Sequence, residues 1–318
     1  MPGSATSVFG EPAAFGAALH NHGNVNFYLT GQGRFMARCT MFKMYRLGIA
    51  AVVEYLPRIG FLAVPPDTVQ IVFPVGDGPS PIWGGYQPAS GELMTLGPDL
   101  RVHVRTNGSC RWGVIWLPAQ VLARYFHELT GNTLTVAPAA QLWRSPRSMR
   151  RLHAAAIRAV EVRPETIVDA EAAHGMEQQL VEALVQCFSD RPLPEQPRPR
   201  HSHEGIVVRF EELLPSRRGG AFREQELSAE LGVSTSCLRA CCMQELGMSP
   251  VTYVRLRALH RVHDILQRGM LDVENVSQIA HDHGFRDLRR FAESYRALFG
   301  QLPSTTSRRL HGQVMTDP

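Results

Sequence analysis

Residues 277–303 read SQIAHDHGFRDLRRFAESYRALFGQLP, and the spacing of their apolar positions decides the fold of the C-terminal third. Ile279 and Ala280 fall on one face of a short helix, which Gly284 breaks in the manner of a C-cap while Phe285 closes over the core. Asp287 is suited to cap a second helix, along which Phe291, Tyr295, Leu298 and Phe299 recur at helical spacing. Gly300 ends that helix, and Pro303 prevents its resumption. The predicted unit is helix, tight turn, helix. Leu288, Arg289, Arg290, Glu293 and Arg296 are left outward, with Arg286 in the turn before them. A helix packed on its inner side and offering arginines on its outer side suits a DNA major groove. A solvated cationic face is the competing explanation for this segment taken alone.

Residues 222–250, FREQELSAELGVSTSCLRACCMQELGMSP, repeat the grammar. Leu227, Ala229 and Leu231 are predicted to lie on a first helix, with Gly232 at the turn and Val233 closing it. Ser234 is expected to cap a second helix with Leu238, Cys241 and Cys242 inward and Thr235, Ser236 and Arg239 outward. Gly247 and Pro250 end this unit as Gly300 and Pro303 end the other. Between them SPVTYVRLRALHRVHDILQRG places Val251, Val254, Leu256, Leu259, Val262, Ile265 and Leu266 at helical spacing. A helix from Pro250 to Arg268 would be roughly 29 Å long at 1.5 Å per residue. One turn of B-DNA is about 34 Å, so two recognition helices on such a spacer suit successive major grooves.

The stretches LSAELGVSTSCLR, LGMSPVTYVRLRALHRVHDIL and VSQIAHDHGFRDLRRFAESYRALFGQLPS resemble the DNA-binding domain of the AraC/XylS family of bacterial transcription regulators. The resemblance covers about residues 205–310. It implies a DNA-binding regulator, with RNA polymerase as a partner where the output is activation. Two departures stand out. Cys242 occupies a position where the family usually has an aromatic core residue, and RDLRR replaces a more polar stretch, so target sequences do not carry over.

Composition agrees with a protein of two or three globular domains: 318 residues, 44% hydrophobic and 19% charged. The formal net charge is only +4, a weak signal for nucleic acid. Lys43 is the single lysine, so the 33 basic residues are almost entirely arginine, a bias that a GC-rich genome also produces. No apolar run is long enough to span a membrane and no signal peptide opens the chain. Six cysteines without C-x-x-C pairs fit a reduced bacterial cytoplasm. Cys237, Cys241 and Cys242, on one predicted helix without a nearby histidine, read as core filler rather than a zinc site.

Four prolines in DRPLPEQPRPRHSH, residues 190–203, mark a stiff linker, assigned as 191–203, between residues 1–190 and a DNA-binding domain at 204–312. Before it lie two predicted helices, at about 145–189. Ser145 and Pro146 open the first, which carries Met149, Leu152, Ala156, Ile157 and Val160. Pro164 opens the second, with Ile167, Ala170, Met176, Leu180, Leu184, Cys187 and Phe188 inward. Such a pair can cover a sheet or associate with a second copy of itself. In the family a helical pair of this kind often makes the dimer, so Leu180 and Leu184 are the expected homodimer contacts.

Residues 1–135 change rhythm, with Gly and Pro between short β-rich runs: RFMARCTMFKMYRL, IAAVVEYL, TVQIVFPV, GELMTLG, RVHVR and WGVIWL. That pattern predicts an antiparallel sandwich or barrel, and so an α+β chain overall. It is similar to the cupin-like sensor domain of many family members. Tyr55, Arg58, Phe61, Trp83, Tyr86, Trp112 and Trp116 can line a cavity, and Tyr55, Arg58, Trp83 and Trp112 are the candidate contacts for a small-molecule effector. Taken singly, each aromatic reads first as core or surface packing. Arg58 in an apolar sheet can meet a carboxylate.

His20, His22 and His103 are the only hint of a metal site, and no glutamate follows at the spacing a cupin metal centre requires. Phosphate loops, G-x-S-x-G elbows and Cys–His nucleophile patterns are absent from the sequence. The expectation is therefore a regulator, not an enzyme, with no cofactor, metal or membrane partner. The alternatives are a DNA-binding regulator or architectural protein without a ligand, and, behind it, a metal-dependent enzyme.

Overall fold

Alternation along the strands, rather than any single motif, builds the N-terminal part. The computed structural model describes residues 3–20, 24–162, 170–189, 192–193, 203–214, 223–268 and 276–306. Its strands are β1 (Gly3–Phe9), β2 (Asn24–Leu29), β3 (Ala37–Lys43), β4 (Gly48–Glu54), β5 (Arg58–Ala63), β6 (Thr68–Pro74), β7 (Ile82–Trp83), β8 (Glu92–Leu96), β9 (Arg101–Thr106), β10 (Cys110–Pro118) and β11 (Ala140–Arg144). Four helices accompany them: α1 (Pro12–His20), α2 (Ala119–Thr130), α3 (Arg147–Val162) and α4 (Ala170–Ser189). One sheet runs β1-β3-β4-β10-β6-β8-β11 and the other β2-β5-β9-β7. Every described pairing is antiparallel, as in the β4–β10 register Ala50↔Val114 and Val52↔Trp112.

The larger sheet is covered on both faces, which explains why its central strands read as near-continuous apolar runs. Ile49, Val69, Ile71, Phe73, Ile115 and Leu117 join Leu122 and Phe126 of α2, Met149, Ile157 and Val160 of α3, and Leu180 and Leu184 of α4 in one core. Their alternates Ala50, Gln70, Trp112, Val114 and Trp116 line a cavity on the opposite face. A period of two thus sends one set of residues to the helices and the other to the cavity.

The helical pair covers the sheet. Leu180 and Leu184 are completely buried in that core, while the exposed face of α4 carries Glu171, His174, Gln178, Gln179, Glu182 and Gln186. This corrects the expectation that Leu180 and Leu184 meet a second copy. Apolar periodicity marks a buried stripe, and here the chain's own sheet and α2 supply its cover. The proposed opening of this helix at Pro164, with Ile167, lies outside the described residues, as do His22 and nearly all of the proline-rich linker.

His153 on α3 is a feature the apolar pattern skipped. It is buried, its Nε2–H donates to the Ala50 carbonyl at 3.1 Å, and its ring meets the Phe73 edge at 4.8 Å. Gly113 makes room for it: a Cβ there would come within 2.5 Å of the Phe73 ring and 3.0 Å of the imidazole. Burial pushes the His153 pKa down to about 4, so the ring is neutral in the folded protein. The unfolded chain therefore binds a proton that the native state refuses. Stability should be full above pH ~6.5 and fall as the pH drops from there toward ~4, by about 3 kcal/mol for this group. Chemical denaturation at several pH values would show it, with a flatter profile expected for His153→Gln. Equal pH slopes in the two proteins would refute the assignment.

The second unit comprises Tyr28–Arg34 and the chain from Pro199 onward, the remainder up to Arg198 forming the first. Its helices are α5 (His203–Leu213), α6 (Glu224–Glu230), α7 (Thr235–Leu246), α8 (Pro250–Gln267), α9 (Val276–Asp282) and α10 (Leu288–Phe299). Within it His260 donates to the Leu29 carbonyl at 2.9 Å, and Glu211 of α5 accepts from the Tyr253 hydroxyl at 2.8 Å and from the buried Arg257 guanidinium. Ser249 caps α8 by accepting from the Thr252 amide, and Pro250 takes its first position. Tyr253, Leu256, Leu259, Val262 and Leu266 form its buried stripe. Val251, also at helical spacing, is exposed. A stripe beginning at Tyr253 turns position 251 to the outer side of the first turn.

Candidate nucleic-acid interface

The first helix-turn-helix is α6, a turn at Gly232 with φ +70°, and α7. Ser234 accepts the Cys237 amide at 3.1 Å, and Gly247 closes α7 in the left-handed conformation, as the sequence predicts. Leu227, Leu231, Leu238, Cys241, Cys242 and Leu246 are buried. On α6, Ala229 is exposed and Ser228 is buried, its hydroxyl satisfied by the Gln225 carbonyl at 3.0 Å. A hydroxyl that bonds back to its own helix can be buried without a distant partner. Burial pushes the Cys241 thiol up to about 12 and Cys242 higher still, so both are neutral core groups.

Of the three outward candidates on α7, Ser236 and Arg239 are exposed and Thr235 is half-buried. Arg239 is not free-standing. Its Nε and Nη2 each donate at 2.8 Å to the two carboxylate oxygens of Glu224, the first residue of α6. The pairing raises the Arg239 pKa above its ordinary value. Glu224 went unremarked in the sequence because it stands fifteen residues away, and only the turn at Gly232 brings the two together.

The second unit has the same construction. Gly284 has φ +88°, Asp287 accepts the Arg290 amide at 3.0 Å, and Gly300 ends α10 in the left-handed region. Ile279, Ala280, Phe285, Phe291 and Tyr295 pack with Leu259, Val262 and Leu266 of α8. Arg286, Arg289, Arg290, Glu293 and Arg296 are exposed, as predicted. Leu288 corrects the expectation: it is half-buried against this core and is not an outward residue. Arg289 is 91% exposed on the first turn of α10, with a single 3.2 Å contact from Nε to Glu293. Arg255 of α8 was missed. It shares a concave surface with Arg286 and Arg290, and its pKa is lowered by burial and then by the Arg290 charge. Its signal was a basic residue facing the turn of the second unit, which reading α8 as a plain spacer concealed.

In the first unit, Arg58, Trp83 and Trp112 line the cavity between the sheets, together with Phe27, Gln70 and Trp116. Tyr55 does not. It lies just past the end of β4, is 44% exposed, and corrects the sequence expectation. Arg58 does meet a carboxylate, that of Glu54, itself fully buried. Both Arg58 Nε and Nη2 donate to it, and Trp112 Nε1 adds a third hydrogen bond at 2.7 Å. The Arg58 guanidinium stacks on Phe27 at 4.1 Å from the ring centroid. Among the described residues no cluster of three histidine, cysteine or acidic side chains could hold a metal ion. Among the described residues no helix is long and apolar enough to cross a membrane.

Two helix-turn-helix units sharing α8, each presenting arginine on its second helix, define a DNA-binding protein. Residues 227–309 match the helix-turn-helix domain family. The chain is 29% identical over 255 residues to the XylDLEGF operon transcriptional activator 1 of Pseudomonas putida, covering 71% of this chain and 70% of that protein. The XylDLEGF operon transcriptional activator 2 of the same organism is 38% identical over 82 residues, 26% of this chain and 52% of the relative. Among solved structures, that of the AraC-like transcriptional activator CuxR covers 81% of this chain and 94% of its own at 16% identity, with a TM-score of 0.41. The chain is a DNA-binding transcription regulator whose helix-turn-helix domain is similar to those of the AraC/XylS-type activators.

Proposed function

We propose that residues 204–312 read double-stranded DNA by placing α7 and α10 in successive major grooves, while residues 1–190 respond to a small molecule held between the sheets. The observation that carries the DNA reading is the spacer. α8 has 18 residues, about 27 Å at 1.5 Å per residue, against about 34 Å for one turn of B-DNA. Arg239 and Arg289 are the base-reading candidates, with Ser236 and Thr235 beside the first of them. Arg255, Arg286, Arg290 and Arg296 hold phosphate, the contacts that position a protein without reading sequence. The Pseudomonas relatives are named activators, and activation through contact with RNA polymerase is the output proposed here. The site of action is then the bacterial cytoplasm, and a homodimer on repeated sites remains part of the reading, its contact lying outside the inward face of α4.

The cavity favours an uncharged aromatic effector. Among the described residues that line it, the one cation, Arg58, is already balanced by Glu54, so a ligand carboxylate would bring a second negative charge into a buried site. The tryptophans offer flat apolar contact instead. A thermal-shift comparison of matched neutral and carboxylate aromatics tests this, and stabilisation by carboxylates alone would overturn it. No shift with any compound would favour a regulator without a ligand.

Two substitutions separate base reading from phosphate holding. Arg289→Ala should weaken binding to the best operator by about 1–3 kcal/mol and relax preference at one base pair. Arg296→Ala should weaken operator and scrambled duplex alike and lower the salt slope by about one unit. Both are measured by titrating the two duplexes across a salt series. Equal losses on both duplexes for Arg289→Ala would demote it to a backbone contact.

A further inference from the structure

Glu224 and Arg239 form an ion pair unlike others on this surface. Two parallel bonds of 2.8 Å join them, the arginine is 62% exposed, and the glutamate is only 11% exposed. Exposed pairs of long side chains usually exchange with water and fix little. Here one partner is packed and the geometry is bidentate, so the guanidinium plane is held. Arg289 offers a contrast, with one 3.2 Å bond to a glutamate that is itself 64% exposed.

A guanidinium has two forks. The side fork is Nε with Nη2, and the end fork is Nη1 with Nη2. Glu224 occupies the side fork of Arg239, and among the described residues no acceptor is engaged with Nη1. The end fork therefore points away from α6 with two donors abreast, the arrangement that fits guanine O6 and N7. We propose that Glu224 is a specificity-determining positioning residue, which holds the side fork of Arg239 so that its end fork meets a guanine edge. The carboxylate has a second effect. It cancels most of the arginine charge and sits near the phosphates, so it weakens attachment to any duplex while leaving the base contact intact. Specificity is a difference of affinities, and lowering the non-specific term raises it. The proposal rests on the reading that α7 enters a major groove.

The test uses the full chain. Wild type, Glu224→Gln, Arg239→Ala, Arg239→Lys and the double variant Glu224→Gln with Arg239→Ala are compared. A duplex is first selected by the wild type from a randomised library. Affinities are then measured on that duplex, on its single-base variants and on a scrambled duplex across a salt series, with melting temperatures alongside. Arg239→Ala should lose guanine preference at one position by about 10-fold or more. Glu224→Gln should lose about 3–10-fold of the preference at that same position. It should bind the scrambled duplex at least as tightly as wild type, with a salt slope steeper by about one unit. A merely structural role would not produce that pairing of changes. In the Arg239→Ala background, Glu224→Gln should leave base preference unchanged. Arg239→Lys leaves Glu224 in place, but an ammonium can reach guanine O6 and N7 only without the fixed plane of a gripped guanidinium. The guanine preference should therefore fall several-fold while affinity for scrambled DNA is kept; a preference retained in full by Arg239→Lys would overturn the proposal even if Glu224→Gln failed to fold. If Arg239→Ala loses the preference and a folded Glu224→Gln keeps it, positioning by Glu224 is wrong and DNA reading by α7 stands. If Arg239→Ala changes no position, the reading of α7 fails and the positioning role with it.

Discussion

Leu180→Asp should unfold the N-terminal unit rather than convert an oligomer to monomers. Leu180 is fully buried on α4, in a core with residues from the large sheet, α2 and α3. Removing a leucine side chain from such a site costs about 2–5 kcal/mol in lost contacts and cavity. Adding a carboxyl group without a hydrogen-bonding partner costs several more, lessened only as far as the group becomes protonated. The sum rivals the whole stability of an ordinary domain, about 5–15 kcal/mol. Far-ultraviolet circular dichroism and denaturant titration of the purified full chain would report the loss of strand signal. A protein that kept its wild-type unfolding midpoint and merely halved in mass would return Leu180 to an interface between copies.

Glu211→Ala should be nearly as damaging to the DNA-binding unit, for an electrostatic reason. Glu211 on α5 receives hydrogen bonds from Tyr253 and from Arg257, both buried on α8. Burial raises the Tyr253 pKa well above its ordinary value, and the Glu211 charge adds to the effect, so the phenol stays a donor. Without the carboxylate, Arg257 keeps its charge in a site from which water is largely excluded. Breaking a buried pair from one side typically costs about 3–5 kcal/mol. Replacing both partners with apolar residues, as in Glu211→Met with Arg257→Met, should restore most of that loss. Urea unfolding of the two proteins would decide the matter. A single variant within about 0.5 kcal/mol of wild type would mean that water reaches Arg257.

The parts of this fold that were legible in the sequence are those governed by residues close together along the chain. Asp287 and Ser234 could be placed as caps because each bonds an amide three residues ahead. Gly232, Gly247, Gly284 and Gly300 could be placed as turns because each needs a positive φ. Six strand runs, those of β3, β4, β6, β8, β9 and β10, were visible through their period, whereas β1, β2, β5, β7 and β11 were not. What escaped were pairings set by topology. Arg58 was expected to meet a carboxylate, but Glu54 was not identified as its owner, since residues four apart along one strand stand about 13 Å apart, and only the turn between β4 and β5 brings these two together. The Glu211–Arg257 and Glu224–Arg239 pairs join residues on different helices and have no local signature. Leu180 shows the opposite limit. Its apolar stripe was read correctly, but periodicity says only that a face is covered, not by what.

The rigid continuity of α8 has a genetic consequence. One residue inserted in its middle would rotate everything beyond by about 100° and advance it by about 1.5 Å. One base pair inserted between the two recognised stretches of an operator would rotate the second by about 35°, since a turn of DNA takes 10–10.5 base pairs. Neither change can compensate the other, because the two screws differ in pitch. Point substitutions in the recognition helices and in the operator can therefore be exchanged singly, each one altering a base preference. Insertions and deletions cannot, so regulator and operator can diverge in letters but not in phase.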